Sequence, residues 1–515
     1  MRITHCLHRL VQREPDRPLT ICGTRTTTVA QSADRVARLA GALKARGLEA
    51  GERVGILAMN SDRYHEALFA CAWAGLVVVP LNTRWSLAEN AFAVDDAGIR
   101  LLLADDDFAA AAHELEDRCP TLTTVVHWGE HATPTGWLPY EDLLTDAAPA
   151  EDAYRGGSDL FGIFYTGGTT GRAKGVALSH DNVLGNAAGA LATYPVATAH
   201  GRFLHAAPMF HLADLAAWVM GTLRETTHVM VPAFEPAAVL AALERHRITD
   251  TLLVPTMLQL LCDHPDADTA DLSSVRTVVY GASPMPEAVL ERSMLRFPHA
   301  GFVQAYGMTE LGPVATLLLP DDHHVAERRR SAGRSTVAVD VRVVDAEDHE
   351  VPTGTVGEIV VRGDNVMLGY WNRPEETAQA LRGSWMHTGD AGRMDAAGYL
   401  FVVDRIKDMI VTGGENVYSV EVEKTLARHP AVAACAVIGV PDPTYGECVH
   451  AVVVLHPGSA AVPEELTDFC RAHIANYKVP RSVEFIDALP VSGAGKVLKR
   501  ELRGARRAGQ ERAAH

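Results

Sequence analysis

The feature that most constrains the fold is an alternation, in the first half of the chain, between helix-spaced segments and short apolar runs. Residues 30–46 place apolar side chains at helical spacing, and Gly47 follows as a candidate C-cap. The runs 53–59, 76–80 and 99–104 are short and continuously apolar, which is typical of strands that a parallel sheet buries on both faces. This alternation predicts a layered α/β fold.

The pattern changes after about residue 333. The segments VDVRVVD, GEIVVRG and GYLFVVD alternate apolar with polar residues and predict a small antiparallel β unit. A helix–strand–strand–helix pattern after Asp408 predicts a small α+β domain. We therefore predict a large N-terminal domain of layered α/β subdomains plus the small β unit over 1–403, a hinge at 404–408 in the charged segment DRIKD, and a mobile C-terminal lid domain over 409–515.

Composition and charge exclude several classes of protein. The chain has 515 residues, of which 47% are hydrophobic, so it is neither disordered nor fibrous in composition. Its 47 Lys and Arg against 64 Asp and Glu give a net charge of −17. Such a chain binds nucleic acid or anionic membranes poorly, so an anionic ligand must be held by local donors. We therefore expect no nucleic-acid partner.

Cysteine usage and apolar runs bear on the compartment. The eight cysteines are scattered without a CxxC pair, which favours reduced thiols. The N-terminal segment has no apolar stretch of the secretory type. The longest apolar run, 67–81, is shorter than the roughly 20 residues of a membrane helix. These features predict a cytoplasmic protein without a transmembrane segment, and no pattern indicates an oligomeric state.

The most specific local motif is YTGGTTGRAKG at 165–175, directly after the apolar run FGIF. Glycines let backbone N–H groups approach an anion closely, and the threonines and lysine add further donors. A polyphosphate loop is therefore predicted, and an ordinary Gly/Thr surface turn is the alternative. The motif is not a Walker A loop, because Gly175 follows the lysine. The predicted phosphate contacts are Thr166, Gly167, Gly168, Thr169, Thr170, Gly171 and Lys174.

This loop resembles the phosphate loop of the adenylate-forming superfamily, which includes acyl- and aryl-CoA synthetases, nonribosomal adenylation domains and firefly luciferase. The other motifs of that superfamily follow in order over nearly the whole chain: PMFH at 208–211, GAS at 281–283, QAYGMTE at 304–310, WMHTGD at 385–390, DRIKDMI at 404–410, GGENVYSVEVE at 413–423 and GAGKVLKR at 493–500. Within the superfamily, these motifs resemble those of acyl-CoA synthetases of the fatty-acid–CoA ligase type. The sequence departs from the usual motifs of the superfamily at four positions, Gly167, Ala173, Ser419 and Val491. None of these departures removes a named catalytic group.

The motif YGMTE combines an aromatic ring, a hydroxyl and a carboxylate. The resemblance implies that Tyr306 stacks on adenine, that Thr309 holds the α-phosphate and that Glu310 binds Mg²⁺, a hard ion that prefers oxygen ligands. Without the resemblance, a turn with a buried tyrosine and a surface glutamate would be the simpler interpretation. The same resemblance places the flat base against the backbone of Gly281, Ala282 and Ser283.

Charged residues nearer the C-terminus complete the nucleotide site by resemblance. Asp390 would accept hydrogen bonds from the ribose hydroxyls, and Arg405 would pair with the sugar or a phosphate. Lys496 would bridge the attacking carboxylate and the α-phosphate, where charge develops in the transition state. Lys499 and Arg500 are interpreted as solvated charges of a basic tail.

The acid and CoA sites are likewise assigned by resemblance. His211 would lie between the acyl pocket and the thiol entrance, although a satisfied core histidine is the alternative. Lys407 marks the hinge, and Gly413 and Gly414 would line a pantetheine tunnel. Asp214 is expected either to bond a substrate hydroxyl or to be solvated. The acyl pocket would be lined by Phe210, His211, Ala213, Asp214, Gly281, Ala305, Gly307, Met308, Gly312 and Pro313.

The absence of Arg and Lys from this pocket set argues against a second substrate carboxylate. The predicted substrate is therefore an apolar monocarboxylic acid: a medium- or long-chain fatty, aryl or cyclic acid. The predicted function is ATP-dependent acid–CoA ligation with release of AMP and pyrophosphate, using ATP, Mg²⁺ and CoA. Three alternatives stay open: a stand-alone ligase that loads an acyl carrier protein, a luciferase-like oxygenase, and a catalytically silent nucleotide-binding pseudoenzyme.

Overall fold

The computed structural model describes residues 1–167, 173–412, 415–442, 444–491 and 497–513, with backbone only for 416 and 507–513. The chain forms two compact units. The first comprises Met1–Val341 and Val361–Met386, and the second comprises Arg342–Val360 and His387–His515. Predicted site residues that lie outside the described residues are Gly168, Thr169, Thr170, Gly171, Gly413, Gly414 and Lys496.

The strands, in chain order, are β1 (Pro18–Cys22), β2 (Arg25–Thr28), β3 (Arg53–Leu57), β4 (Val77–Pro80), β5 (Leu101–Ala104), β6 (Thr124–His127), β7 (Leu138–Pro139), β8 (Leu160–Thr166), β9 (Lys174–Ser179), β10 (Arg202–His205), β11 (Thr227–Met230), β12 (Asp250–Leu252), β13 (Thr277–Gly281), β14 (Gly301–Gly307), β15 (Val314–Leu318), β16 (Arg334–Ser335), β17 (Val339–Val344), β18 (Gly357–Gly363), β19 (Gly369–Tyr370), β20 (Met386–Met394), β21 (Leu400–Arg405), β22 (Ile410–Thr412), β23 (Glu415–Val417), β24 (Val432–Asp442), β25 (Gly446–Leu455) and β26 (Ser482–Phe485).

The α-helices, in chain order, are α1 (Thr4–Arg13), α2 (Val29–Ala45), α3 (Asp62–Ala74), α4 (Leu87–Ala97), α5 (Ala109–Arg118), α6 (Tyr140–Asp146), α7 (His180–Thr193), α8 (Leu212–Leu223), α9 (Pro236–Arg245), α10 (Pro255–Asp263), α11 (Glu287–Arg296), α12 (Pro374–Ala380), α13 (Ser419–Leu426), α14 (Pro463–Arg471) and α15 (Lys499–Ala513).

The first unit contains an eight-stranded sheet in the order β19-β9-β8-β4-β3-β5-β6-β7. Its central strands β3, β4 and β5 pair in parallel, as their unbroken apolar sequences predict. The predicted helix at 30–46 is α2, which a Thr28–Gln31 capping box starts. The apolar run at 67–81 is divided between α3 and β4 by Gly75, which adopts φ +77°.

The first unit also contains a nine-stranded sheet in the order β16-β15-β14-β13-β12-β10-β11-β1-β2. The five strands β11, β10, β12, β13 and β14, which are adjacent in this order, pair in parallel with one another, so their carboxyl ends lie at one edge. Ligands of open α/β sheets bind outside the carboxyl ends of the strands. Both large sheets therefore confirm the predicted layered α/β architecture.

The second unit contains most of a four-stranded sheet, β17-β18-β20-β21, and a five-stranded sheet in which β26 joins β25 beside β23, β22 and β24. Strands β20 and β21 are antiparallel, as the alternating pattern predicts. The apolar core of the five-stranded sheet is closed by α13 and α14, which contribute Val422, Leu426 and Leu466.

The two compact units divide the chain differently from the predicted domains. The predicted hinge at 404–408 lies inside the second unit, because β20 and β21 belong to that unit as well. A mobile lid beginning at this hinge stays a prediction. All eight cysteines are free thiols, as expected. Among the described residues, no helix combines the length and the apolar character that crossing a bilayer requires.

Candidate active site

The flanks of the predicted phosphate loop are the facing ends of a β-hairpin. Strands β8 and β9 are antiparallel, and Thr166 pairs with Lys174. Gly167 is exposed, and a Cβ built on it would meet no atom of the described residues within 4 Å. The hairpin therefore brings the two ends of the predicted loop together.

The Lys174 ammonium group is partnered by an acidic residue that the sequence did not single out. Its Nζ lies 2.5 Å from Oε2 of Glu376, on α12, and 4.8 Å from the centre of the Tyr370 ring. The side chains of Lys174 and Glu376 are 22% and 38% exposed. Solvent therefore screens this ion pair, and an incoming phosphate can compete for the lysine.

The motifs GAS and QAYGMTE meet at the carboxyl ends of two neighbouring parallel strands. Gly281, the last residue of β13, pairs with Ala305 of β14. A Cβ at Gly281 would lie 2.2 Å from the Ala305 carbonyl oxygen, so the approach requires glycine. Ala282 adopts φ +66°, a left-handed conformation that turns the chain sharply before Ser283.

The carboxylate of Glu310 is buried and anchored. Strand β14 ends at Gly307, and a 3₁₀ turn over Thr309–Leu311 follows. Tyr306 and Thr309 are half-buried beside this turn, whereas Glu310 is only 7% exposed. The hydroxyl of Tyr370 donates a hydrogen bond of 2.9 Å to Oε1 of Glu310.

The donor set at this turn fits a hard divalent cation. A carboxylate and a hydroxyl oxygen stand next to each other in sequence at Thr309 and Glu310. The phenol occupies Oε1 of Glu310, so the second oxygen can serve a metal ion. Mg²⁺ is usually bound through one or two carboxylates together with substrate phosphates.

Two of the predicted acyl-pocket residues, Phe210 and His211, place neighbouring rings at the N-terminus of α8. His211 is the N-cap residue of α8, and its ring centre lies 4.3 Å from that of Phe210. Phe210 is buried, whereas His211 and Ala213 are half-buried. The first turn of α8 therefore offers an aromatic ring, an imidazole and a small side chain.

The expectation that Asp214 is solvated is wrong. Asp214 is fully buried, and one of its carboxylate oxygens lies 2.8 Å from Nδ1 of His205. His205 Nε2 lies 2.9 Å from His228 Nδ1, and His228 Nε2 lies 3.2 Å from the Thr222 hydroxyl. A continuous polar chain therefore ties α8 to β10 and β11, and the isolated sequence position of Asp214 carried no indication of it.

Neutral histidines dominate this buried cluster. Burial lowers the pKa of His65 to about 3, with a further lowering by His205. Burial also lowers the pKa of His228 well below its usual value. The Trp218 indole donates a 2.9 Å hydrogen bond to Nδ1 of His65, which requires a ring with an unprotonated nitrogen.

In the second unit, the predicted ribose-binding residues form one ion pair. Asp390 on β20 lies opposite Arg405 on β21 in the ladder, and the guanidinium approaches Oδ1 to 2.5 Å. Asp390 is 5% exposed, so its carboxylate is largely removed from solvent. Arg405 is therefore paired with the carboxylate that is predicted to bind the ribose.

The residues of the predicted hinge are bound to the segment that follows them. Asp404 accepts a 2.6 Å hydrogen bond from the Ser419 hydroxyl.

Lys499 lies 2.7 Å from the Glu423 carboxylate and donates to Ser419, so its interpretation as a solvated tail charge is wrong. Desolvation, followed by repulsion from the Arg405 guanidinium, lowers the pKa of Lys407 to about 8.

Comparisons with protein families, with known sequences and with solved structures all match this chain over most of its length. The AMP-binding enzyme family model matches residues 7–371, and the AMP-binding enzyme C-terminal domain model matches residues 421–496. A feruloyl-CoA synthase from Amycolatopsis sp. is 44% identical over 93% of this chain and 94% of its own length. The fatty acid–[acyl-carrier-protein] ligase ScoC from Streptomyces coeruleorubidus is 37% identical over 96% and 94%. The ATP-bound crystal structure of MatB from Rhodopseudomonas palustris superimposes with a TM-score of 0.89 at 31% identity, over 98% of this chain and 99% of that one.

Proposed function

Because this chain belongs to the AMP-binding enzyme family and is an acid–thiol ligase of the acyl-CoA synthetase type, we propose that it activates an apolar monocarboxylic acid with ATP and transfers it to CoA. The observation that carries the proposal is that Tyr370 contacts both Lys174, at the end of the β8–β9 hairpin, and Glu310, in the turn after β14 that also holds Tyr306 and Thr309. These residues supply a cation, a ring, a hydroxyl and a carboxylate to one nucleotide.

The reaction has two steps. An oxygen of the acid carboxylate attacks the α-phosphorus of ATP, and pyrophosphate leaves. The CoA thiol then loses its proton and attacks the acyl carbon of the adenylate, the acyl–phosphate bond breaks, and AMP leaves. No covalent intermediate forms on the protein, which agrees with free cysteines whose pKa burial raises at positions such as Cys71.

We assign the nucleotide contacts as follows. Tyr306 stacks on adenine beside the Gly281–Ser283 backbone, Thr309 donates to the α-phosphate, and Asp390 accepts from the ribose. The phosphate loop, with Thr166, Gly167 and Lys174 at its ends, holds the outgoing phosphates. Glu310 would hold Mg²⁺, which when bound neutralises charge on the phosphate oxygens. Lys496 stabilises the charge that develops between carboxylate and α-phosphate.

The acid lies against the first turn of α8 and the end of β14. Phe210, Ala213, Ala305 and Met308 present apolar or small side chains there, with His211 at the thiol side. A second carboxylate would meet no cation among these residues, and its desolvation would be uncompensated. The 44% identity to a feruloyl-CoA synthase supports an aryl acid such as ferulate as the first acid to test.

A second thiol acceptor is favoured by one observation. The ligase ScoC, which is 37% identical over nearly the whole chain, acts with an acyl carrier protein according to its name. The same adenylate could therefore be delivered to the thiol of a carrier protein. Lys407 as hinge and Gly413–Gly414 as a pantetheine passage serve either acceptor, because both thiols end the same kind of chain.

The test is acid-dependent AMP release with ferulate, fatty acids of several lengths and malonate, each with and without CoA. The proposal requires AMP release that depends on both CoA and a monocarboxylic acid. Pyrophosphate exchange without CoA turnover would favour the carrier protein. A preference for malonate would overturn the assignment of the acyl pocket.

A further inference from the structure

Beside the nucleotide contacts, the segment from Met367 to Glu376 touches two of the assigned groups, and no assigned role accounts for it. The backbone N–H of Met367 donates to the Glu310 carbonyl at 2.9 Å. The Tyr370 hydroxyl donates to the Glu310 carboxylate at 2.9 Å. The same Tyr370 ring lies under the Lys174 ammonium group at 4.8 Å.

The backbone of Tyr370 is fixed from two directions. Tyr370 pairs with Val176 in the β19–β9 ladder. The N–H of Trp371 donates to the Gly175 carbonyl at 2.7 Å, so the pairing continues beyond Tyr370. On the other side, the N–H of Tyr370 donates to the Thr377 hydroxyl of α12 at 2.9 Å. The phenol therefore points to Glu310 from a rigid support.

A hydrogen bond to an ionised carboxylate does two things that matter for a metal ligand. It is stronger than a neutral hydrogen bond, and it selects one rotamer of the Glu310 side chain. With Oε1 committed to the phenol, the carboxylate presents its second oxygen in a defined direction. Partners of this kind typically change metal affinity by about 10–100-fold when they are removed.

We propose that Tyr370 is a positioning residue for the metal-binding carboxylate of Glu310. The phenol orients Glu310, and its ring couples that orientation to Lys174 at the end of the phosphate loop. A cation over the ring is stabilised by the ring quadrupole, so Lys174 and the metal ligand share one support. This inference rests on the proposed function, because it takes Glu310 as the metal ligand of the nucleotide site.

The experiment is a Mn²⁺ titration, followed by electron paramagnetic resonance, of the full-length protein with α,β-methylene-ATP. Tyr370→Phe removes only the hydroxyl and keeps the ring under Lys174. We expect Mn²⁺ binding to the enzyme–nucleotide complex to weaken about tenfold. Binding of the same nucleotide in EDTA should not change. Saturating Mg²⁺ should restore most of the turnover, which a merely structural defect would not allow.

Tyr140→Phe is the matched control, since Tyr140 donates a comparable 2.6 Å hydrogen bond to a buried glutamate, Glu66, outside the site. It should leave Mn²⁺ affinity unchanged. Thermal unfolding identifies a variant that does not fold. Tyr370→Gln is the second variant, because its amide keeps a donor. Its Mn²⁺ affinity should exceed that of a folded Tyr370→Phe, and where Tyr370→Phe does not fold it should lie closer to that of the wild type than to that of Glu310→Gln.

The outcomes separate the inference from the proposed function. If Glu310→Gln weakens Mn²⁺ binding and Tyr370→Phe does not, the positioning role is overturned while the metal site stands. If neither change affects Mn²⁺ binding, the metal role of Glu310 fails as well. In the double variant, Tyr370→Phe should add nothing to the effect of Glu310→Gln, because the phenol acts through that carboxylate.

Discussion

The nucleotide side and the acid side of the candidate site, both in the first unit, are built from different kinds of contact. The nucleotide side, defined by Lys174, Tyr306, Thr309, Glu310 and Tyr370, uses charged and hydroxyl groups in ion pairs and hydrogen bonds. The acid side, defined by Phe210, His211 and Ala213 at the start of α8, presents small and aromatic side chains. Behind it lies the buried chain from Asp214 to Thr222.

This difference indicates that hydrogen-bond donors and charges determine binding on the nucleotide side, whereas the shape of the pocket determines binding on the acid side. A phosphate is recognised by donors, and the loss of one donor leaves a charge unpaired. The apolar part of an acid is recognised by the shape and volume of the pocket that receives it. An added methylene group therefore changes the affinity for the acid, although no charged group of the pocket contacts it. We therefore expect changes on the nucleotide side to affect all acids equally and changes on the acid side to reorder them.

The largest expected effect comes from Lys496→Ala. The lysine is assigned to charge that develops only in the transition state, so adenylate formation should fall at least about 100-fold. Pyrophosphate exchange measures this step, and nucleotide affinity should change little. Arg500→Ala, which removes an exposed cation from the same segment, is the control. Unchanged exchange in Lys496→Ala would remove the lysine from the mechanism.

A fall in pH should destabilise the first unit, because His65, which packs behind α8 against Trp218, is buried in the neutral form. The unfolded state binds a proton at His65 below pH 6.5, whereas the folded state does so only near its pKa of about 3. The unfolding free energy should therefore fall by about 2 kcal/mol from this group between pH 7 and pH 5.

Urea unfolding at the two pH values measures this loss. His65→Asn keeps an acceptor for the Trp218 indole and should remove this part of the pH dependence. His113→Asn, at a histidine whose side chain is 55% exposed, should leave the pH dependence as it is. If the unfolding free energies of the wild type and His65→Asn depended equally on pH, the pKa of His65 would be the same in the folded and the unfolded protein.

Filling the acid side should change the order of substrates. Ala213→Leu adds bulk to the half-buried first turn of α8 and should raise the KM for bulky acids about tenfold, with little change for acetate. Steady-state kinetics over the acid panel measure this, and the KM for ATP should not move. Ala238→Leu, on the exposed first turn of α9, controls for added bulk. An equal effect on all acids would place Ala213 outside the pocket.

The smallest expected effect is on the nucleotide side. Glu376→Gln removes the carboxylate that pairs with Lys174, so phosphate no longer competes with it. Because the pair is partly exposed, the KM for ATP should fall by only about two- to fivefold. Glu375→Gln makes the same charge change at an exposed neighbour and should have no effect. A higher KM in Glu376→Gln would indicate that Glu376 supports the lysine and does not compete for it.

The sequence predicted those parts of the site that lie in contiguous motifs. YGMTE and GAS were found because their residues are adjacent in the chain, and parallel pairing of β13 with β14 brings them together. Tyr370 and Glu376 were missed, since their contacts with Glu310 and Lys174 span distant positions. The burial of Asp214 was missed for the same reason, because His205 and His228 reach it only through the sheet.

The most direct test of the account is to offer one adenylated acid two acceptors in competition. The protein, ATP, Mg²⁺ and the best acid of the panel are incubated with equimolar CoA and a pantetheinylated carrier protein, and mass spectrometry counts thioester per AMP. We expect one acyl-CoA per AMP and little acylated carrier protein. Acylated carrier protein as the main product, or AMP without either thioester, would contradict it.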